Sequence, residues 1–169
     1  METDLILSVG GLPPLSARGC VQELMPVNNG TFRRTVNGTL LHLGQALKYR
    51  SIITCEDKTS LATHGLMPGS LVRVGCIQRL WQKVNGDEKV MLEREAIEGS
   101  VGAVDSNQQS IAVRQVVGQS VDLMPFATPT DGECYITYRP WLMMRVITYS
   151  LTTHEWGIKT GWRLELEEV

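Results

Sequence analysis

The chain has 169 residues, with 16 Lys plus Arg against 18 Asp plus Glu and a net charge of −2. Its 43% hydrophobic content suits one ordinary globular domain with a real core. The charge balance gives no global positive field to hold a polyanion, and no apolar run reaches the roughly 18 residues of a spanning helix, which argues against a dedicated nucleic-acid binder and against a helical membrane protein.

Helical periodicity is scarce along the chain, whereas period-two alternation is common. Residues 5–9 read as a short strand, broken by Gly10-Gly11-Leu12-Pro13-Pro14. Residues 20–24 are extended in character and end at Met25-Pro26, and Asn28-Asn29-Gly30 signals a tight turn. Asn37-Gly38 lies between strand-like flanks, the strongest short-range hairpin signal, so 40–43 becomes the return strand. Residues 45–50 suit one helical turn, too short to stand alone. The β-branched run Ile52-Ile53-Thr54 makes 49–55 a strand, followed by a polar loop at 56–59.

Leu66-Met67-Pro68-Gly69-Ser70 is a Pro-Gly turn feeding the clearest strand, 71–81. There Val72, Val74, Cys76 and Leu80 fall on one face, against Arg73, Gly75, Ile77 and Arg79 on the other. Asn85-Gly86-Asp87 then predicts a hairpin joining 80–84 to 89–96, the latter taken as strand although its composition also suits a helix. Residues 99–109 read as a loop and 111–117 as a strand, and Pro125, Pro129 and Asp131-Gly132 mark an irregular stretch. Strands follow at 134–138, 143–151 and 161–169. In the last, Trp162, Leu164 and Leu166 alternate with Arg163, Glu165 and Glu167. The expected fold is therefore all-β: a single-domain sandwich or barrel of about nine or ten mostly antiparallel strands with extended loops.

Chemistry is sparse. Cys20, Cys55, Cys76 and Cys134 contain no C-x-x-C pair, so free thiols are expected rather than a metal knuckle or redox motif. The short acidic N-terminus lacks the basic flank of a secretory signal, which places folding in a cytosol. His42, His64 and His154 have no second histidine at ligand spacing, and His154 and Glu155 would point to opposite faces of a strand. Gly-x-Ser-x-Gly, phosphate-loop and dinucleotide fingerprints are all missing. Arg33-Arg34 is a basic doublet suited to a carboxylate or phosphate. Of the tryptophans, Trp162 reads as core, Trp141 follows a Pro bend, and Trp156 suits core and contact surface equally. The closing Glu165-Leu166-Glu167-Glu168 places like charges close together, which calls for a basic partner such as Arg33, Arg34, Arg73 or Arg79, from the same chain or a neighbouring copy.

Several blocks carry a resemblance: Ala17 through Val27, Arg33-Arg34-Thr35-Val36-Asn37-Gly38-Thr39-Leu40, Lys48 through Cys55, Leu66 through Cys76, and Tyr138 through Val146 with Glu155-Trp156 and Trp162 through Val169. Together they resemble small structural proteins of tailed-bacteriophage virions over about 17–81 and 135–169. That group often carries Trp where this chain has Met67, and residues 82–134 match nothing in it and read as an insertion. The resemblance implies a non-enzymatic particle component without cofactor, metal or small-molecule substrate. It would be assembled in the host cytoplasm and would contact other virion proteins and further copies of itself, with neither nucleic acid nor membrane as a main partner. A ring of the tail, neck or tail tip is the leading expectation. A capsid decoration protein, or a cell-surface carbohydrate-binding or hydrolytic β module, are the alternatives. Contact residues expected are Arg33, Arg34, Trp141, Trp156, Glu167 and Glu168, with 1–16, 57–64 and 99–109 as candidate arms.

Overall fold

The computed structural model describes residues 3–27, 30–44, 47–85, 89–123, 133–156 and 159–169. Their regular structure is entirely β. In chain order the strands are β1 (Ile6–Leu7), β2 (Val21–Val27), β3 (Thr31–Arg34), β4 (Leu40–Leu43), β5 (Lys48–Asp57), β6 (Leu71–Gly75), β7 (Leu80–Asn85) and β8 (Lys89–Met91). They continue as β9 (Gly102–Asp105), β10 (Ser110–Ile111), β11 (Val113–Val117), β12 (Ser120–Leu123), β13 (Glu133–Tyr138), β14 (Trp141–Thr153) and β15 (Thr160–Glu168). The fold is all-β and of sandwich type, built from open antiparallel sheets and not a closed barrel. The fifteen strands among the described residues exceed the nine or ten expected, because 99–123 breaks into pieces of two to five residues and 71–81 divides into β6 and β7.

The chain forms two compact units, each drawn from two separate stretches: Thr3–Ser8 with Arg73–Leu142, and Val9–Val72 with Met143–Val169. The 82–134 segment set apart in the sequence lies wholly within the first.

In the first unit, one sheet has the order β10-β9-β13-β7 and another β11-β12-β8. Alternation on β13 buries Cys134, Ile136 and Tyr138, which join Val90, Leu92, Ala103, Val121 and Leu123 in one core. The buried Tyr138 hydroxyl accepts the Arg94 backbone N–H at 3.3 Å, so its polar end is satisfied. The hairpin expected around Asn85-Gly86-Asp87 does not form a ladder between its flanks. Gly86 and Asp87 lie outside the described residues, but β7 pairs with β13 from Leu80 to Asn85, while β8 pairs with β12. A turn dipeptide reverses the chain without choosing the ladder. The six-residue β13 offers β7 a longer partner than the three-residue β8 does. The Gln82 side chain still bridges the two, donating to the Met91 carbonyl at 3.0 Å and accepting the Glu93 N–H at 3.3 Å.

Residues 99–109, read as a loop, contain β9, which pairs with β13 across Gly102–Thr137 to Asp105–Cys134. Strand β1 pairs with β6 at Ile6–Gly75 and Leu7–Val74, Leu5 is buried, and Arg139 holds Asp4 through its carbonyl and, at 3.5 Å, its carboxylate.

In the second unit the strands run β14-β15-β5-β2. The alternation read from the sequence holds: Trp162, Leu164 and Leu166 of β15 are buried, as are Ile53 and Cys55 of β5 and Met144 and Val146 of β14. The Trp162 indole N–H donates to the Ser16 carbonyl at 2.7 Å. Ser16 and Ala17 are buried, Gly11 bridges Ala62, and the Thr59 N–H reaches the Leu15 carbonyl at 2.9 Å. Residues 11–17 are thus held by these contacts, and Leu61 is buried in the 57–64 loop.

Strand β2 runs through Pro26 to Val27, two residues beyond the predicted stop at Met25. Pro is tolerated there because β2 is the last strand in its order. Its opposite residue, Tyr49, turns its N–H the other way, to Glu168 at 3.0 Å, so no ladder bond is lost. The Pro68-Gly69 turn forms as predicted, with Gly69 at φ +91° and the Ser70 N–H bonded to the Met67 carbonyl at 2.9 Å. The helical turn read at 45–50 is not seen where described: β5 begins at Lys48, and 45–46 lie outside the described residues, as do Asn28, Asn29 and the irregular 124–132.

Candidate interaction surface

Among the described residues, strands β3 and β4 pair only with each other. Their register is Thr31–Leu43, Phe32–His42, Arg33–Leu41 and Arg34–Leu40. The Asn37-Gly38 signal produces this hairpin by a three-residue loop. The Gly38 N–H closes a turn on the Thr35 carbonyl at 2.9 Å, Gly38 takes φ +81°, and the Thr35 N–H bonds to the Thr39 carbonyl at 2.9 Å. The Thr35 hydroxyl adds a bond from the Thr39 N–H at 3.1 Å. The chain enters after Val27 and leaves before Lys48, two residues that face each other at the end of the β2–β5 ladder. The ribbon is therefore rooted in the second unit by both its strands.

Directly opposed residues share a face, so Phe32, Arg34 and Leu40 lie on one side, and Thr31, Arg33, Leu41 and Leu43 on the other. Both sides carry large apolar groups, and every one of those side chains is exposed, with Phe32 at 56% and Leu43 at 58%. Val36 at the tip and Leu47 at the root are exposed too. A two-stranded hairpin is marginal in water by itself, and this one leaves apolar side chains exposed on both faces. The polar component comes from the two arginines. Arg34 donates to the Gly38 carbonyl at 2.9 Å, and Arg33 makes no ion pair among the described residues.

The other expected contact residues are placed differently. Glu165 finds its counter-groups in its own chain. Arg50 and Arg163 bond Glu165 at 2.6 and 3.0 Å, and the Arg50 contact, ahead of Arg163, holds that carboxyl below its usual range. Glu167 stands in register between Arg145 and Arg50, and Glu168 accepts the Tyr49 N–H. Arg73 and Arg79, offered as partners for these acids, are engaged elsewhere. Arg73 bonds Glu95 at 2.8 Å and lies 4.5 Å over the half-buried Trp141 ring, while Arg79 bonds Thr137 at 3.1 Å and the Ser100 carbonyl. Trp156, equally balanced between core and contact surface in the sequence, is 93% exposed and is not core. The ribbon thus brings Arg33 and Arg34 together with four apolar side chains. Trp141, Trp156, Glu167 and Glu168 belong to other places.

The apolar character of the ribbon went unread. A signal was present: Leu40-Leu41-His42-Leu43 does not alternate, so a strand there must show apolar groups on both faces.

The second unit also holds an open polar depression of about 710 Å³, lined by Thr54, Glu56, Thr152, His154, Lys159 and Arg163 among others. No three His, Cys, Asp or Glu side chains converge to hold a metal among the described residues. The four cysteines are free thiols; Cys20 is half-buried and the others are buried. Burial pushes the Cys55 and Cys134 thiols above their ordinary range, which keeps them protonated and unreactive. No known protein family, no curated protein and no solved structure matches this chain.

Proposed function

We propose that the chain is a non-enzymatic structural subunit that joins further copies of itself through the β3–β4 ribbon, forming a ring of a tailed-bacteriophage particle at the tail, neck or tail tip. The exposed apolar ribbon carries the assembly part of this reading. The virion setting rests on the sequence blocks at 17–81 and 135–169.

A second copy is the favoured occupant because the same chain supplies a matching acceptor. Among the described residues strand β2 is the last in its order, so the backbone groups of Val21 to Met25 face an edge that a neighbour's ribbon can extend. Ribbon-to-edge contact is heterologous, and repeated about an axis it closes into a ring. Arg33 and Arg34 add charge to the ribbon that Glu23, on that edge strand, complements.

Sedimentation velocity on the full chain across a concentration series tests the proposal. A single closed multimer is expected, and deletion of 31–43 with a Gly-Ser bridge should leave a folded monomer. A wild-type chain that stays monomeric at every concentration, and is missing from purified particles by immunogold labelling, would reject it.

A further inference from the structure

Away from the ribbon, the outward face of the β10-β9-β13-β7 sheet carries a small aromatic cavity. Register places Trp81 opposite Thr137, and Tyr135 opposite Val104, so Trp81, Tyr135 and Val104 share the face turned away from buried Cys134 and Ile136. Trp81 is 62% exposed, although a lone tryptophan in water forfeits one of the largest burial gains available to any side chain. These three, with Asp105, Ser106 and Gln108, line a cavity of about 440 Å³, within the roughly 300–1,000 Å³ range of small-molecule sites.

The polar wall is rigid. Asp105 Oδ1 accepts the N–H groups of Asn107 at 2.8 Å and Gln109 at 2.7 Å, and the Asp105 N–H donates to the Gln109 carbonyl at 2.9 Å. Gln108 is held at φ +64°, in the left-handed region that a non-glycine residue seldom adopts. Asp105 is only 9% exposed, and its register opposite Cys134 sets it on the inner side of β9, where it closes the loop at one end of the cavity.

We propose that this cavity binds a hexose unit of a glycan. A pyranose ring has an apolar C–H face to lie on the Trp81 indole and a rim of hydroxyls that both donate and accept. The lining includes Ser106, Gln108 and Tyr135, whose side chains both donate and accept. A quaternary ammonium would gain from the aromatic rings but leave the amide and hydroxyls unused. The site lies in the first unit and does not depend on the ribbon.

Isothermal titration of the full chain with cellohexaose, maltohexaose and chitohexaose tests the assignment. At least one should bind saturably, with a Kd between about 10 μM and 1 mM. Trp81→Ala should weaken that oligomer about tenfold or more with an unchanged melting temperature. Gln108→Gly, which suits the positive φ while removing the amide, should weaken it severalfold. The assignment is overturned if none of the three saturates by about 10 mM, if Trp81→Ala binds as the wild type does, or if tetramethylammonium binds in their place.

Discussion

Replacing Phe32, Leu41 and Leu43 together by Thr separates assembly from folding. In the isolated chain these side chains are already 56%, 44% and 58% exposed, so the monomer has little burial to lose. Thr is β-branched and suits the extended backbone of the ribbon, and the expected change in monomer stability is within about 0.5 kcal/mol. The assembly term is larger. Full burial of a Leu or Phe side chain contributes about 1.5–3 kcal/mol, so covering the half that remains exposed contributes about 1 kcal/mol per residue. The three together amount to about 3 kcal/mol per subunit contact, a weakening of about a hundredfold. Sedimentation velocity reads the association and thermal melting reads the fold. The reasoning fails if the triple variant assembles at wild-type concentrations, or if it melts far below the wild type.

Other outcomes follow from the second unit. The buried Asp57 carboxylate accepts from the Arg18 backbone at 3.0 Å and the guanidinium at 2.7 Å, and the Arg18 side-chain bond chiefly holds its pKa below the ordinary 3.8. A carboxylate depressed in the folded state contributes in full above its unfolded pKa and loses that contribution as pH falls through the folded value. The melting-temperature gap between wild type and Asp57→Asn should therefore be constant from neutral pH down to about pH 5 and close below about pH 4; parallel profiles would contradict it. Gly10→Ala should cost about 2–4 kcal/mol in urea unfolding, because Gly10 sits at φ +75° and a Cβ would meet the Leu66 Cδ1 at 2.6 Å and the Ala62 carbonyl oxygen at 2.7 Å. Ellman's reagent on the native chain should find Cys20 first, with Cys55, Cys76 and Cys134 reacting only after denaturant is added; a fast Cys134 would show that its core opens readily.

Elements whose one face is buried were legible, because alternation is a local signal. Trp162, Leu164 and Leu166 declared β15, and Val72 and Val74 declared β6. Turn chemistry was equally local, and Asn37-Gly38 and Pro68-Gly69 reversed the chain where expected. Pairing was not legible. The choice of β13 over β8 as the partner of β7 depends on strand length and on a core assembled from distant segments. Strand β9 was read as a loop because Gly102-Ala103-Val104-Asp105 holds small and polar residues whose place is fixed by β13 beside them. Arg50 and Glu165 lie 115 residues apart, so nothing near the closing glutamates announced their partner. The aromatic cavity was hidden for the same reason, since Trp81, Tyr135 and Gln108 meet only through sheet register and a closed loop.

The order in which the second unit is threaded has a bearing on synthesis. When the ribosome has delivered β2 and β5, one long flank of β5 is still without its ladder, because β15 is translated last of all the strands. The nascent chain must carry that unsatisfied edge, with Ile53 and Cys55 beside it, while the whole of Arg73–Leu142 emerges. Folding of this half is thereby gated by translation of its final strand, and premature termination anywhere before β15 leaves a sticky β fragment rather than a smaller stable protein.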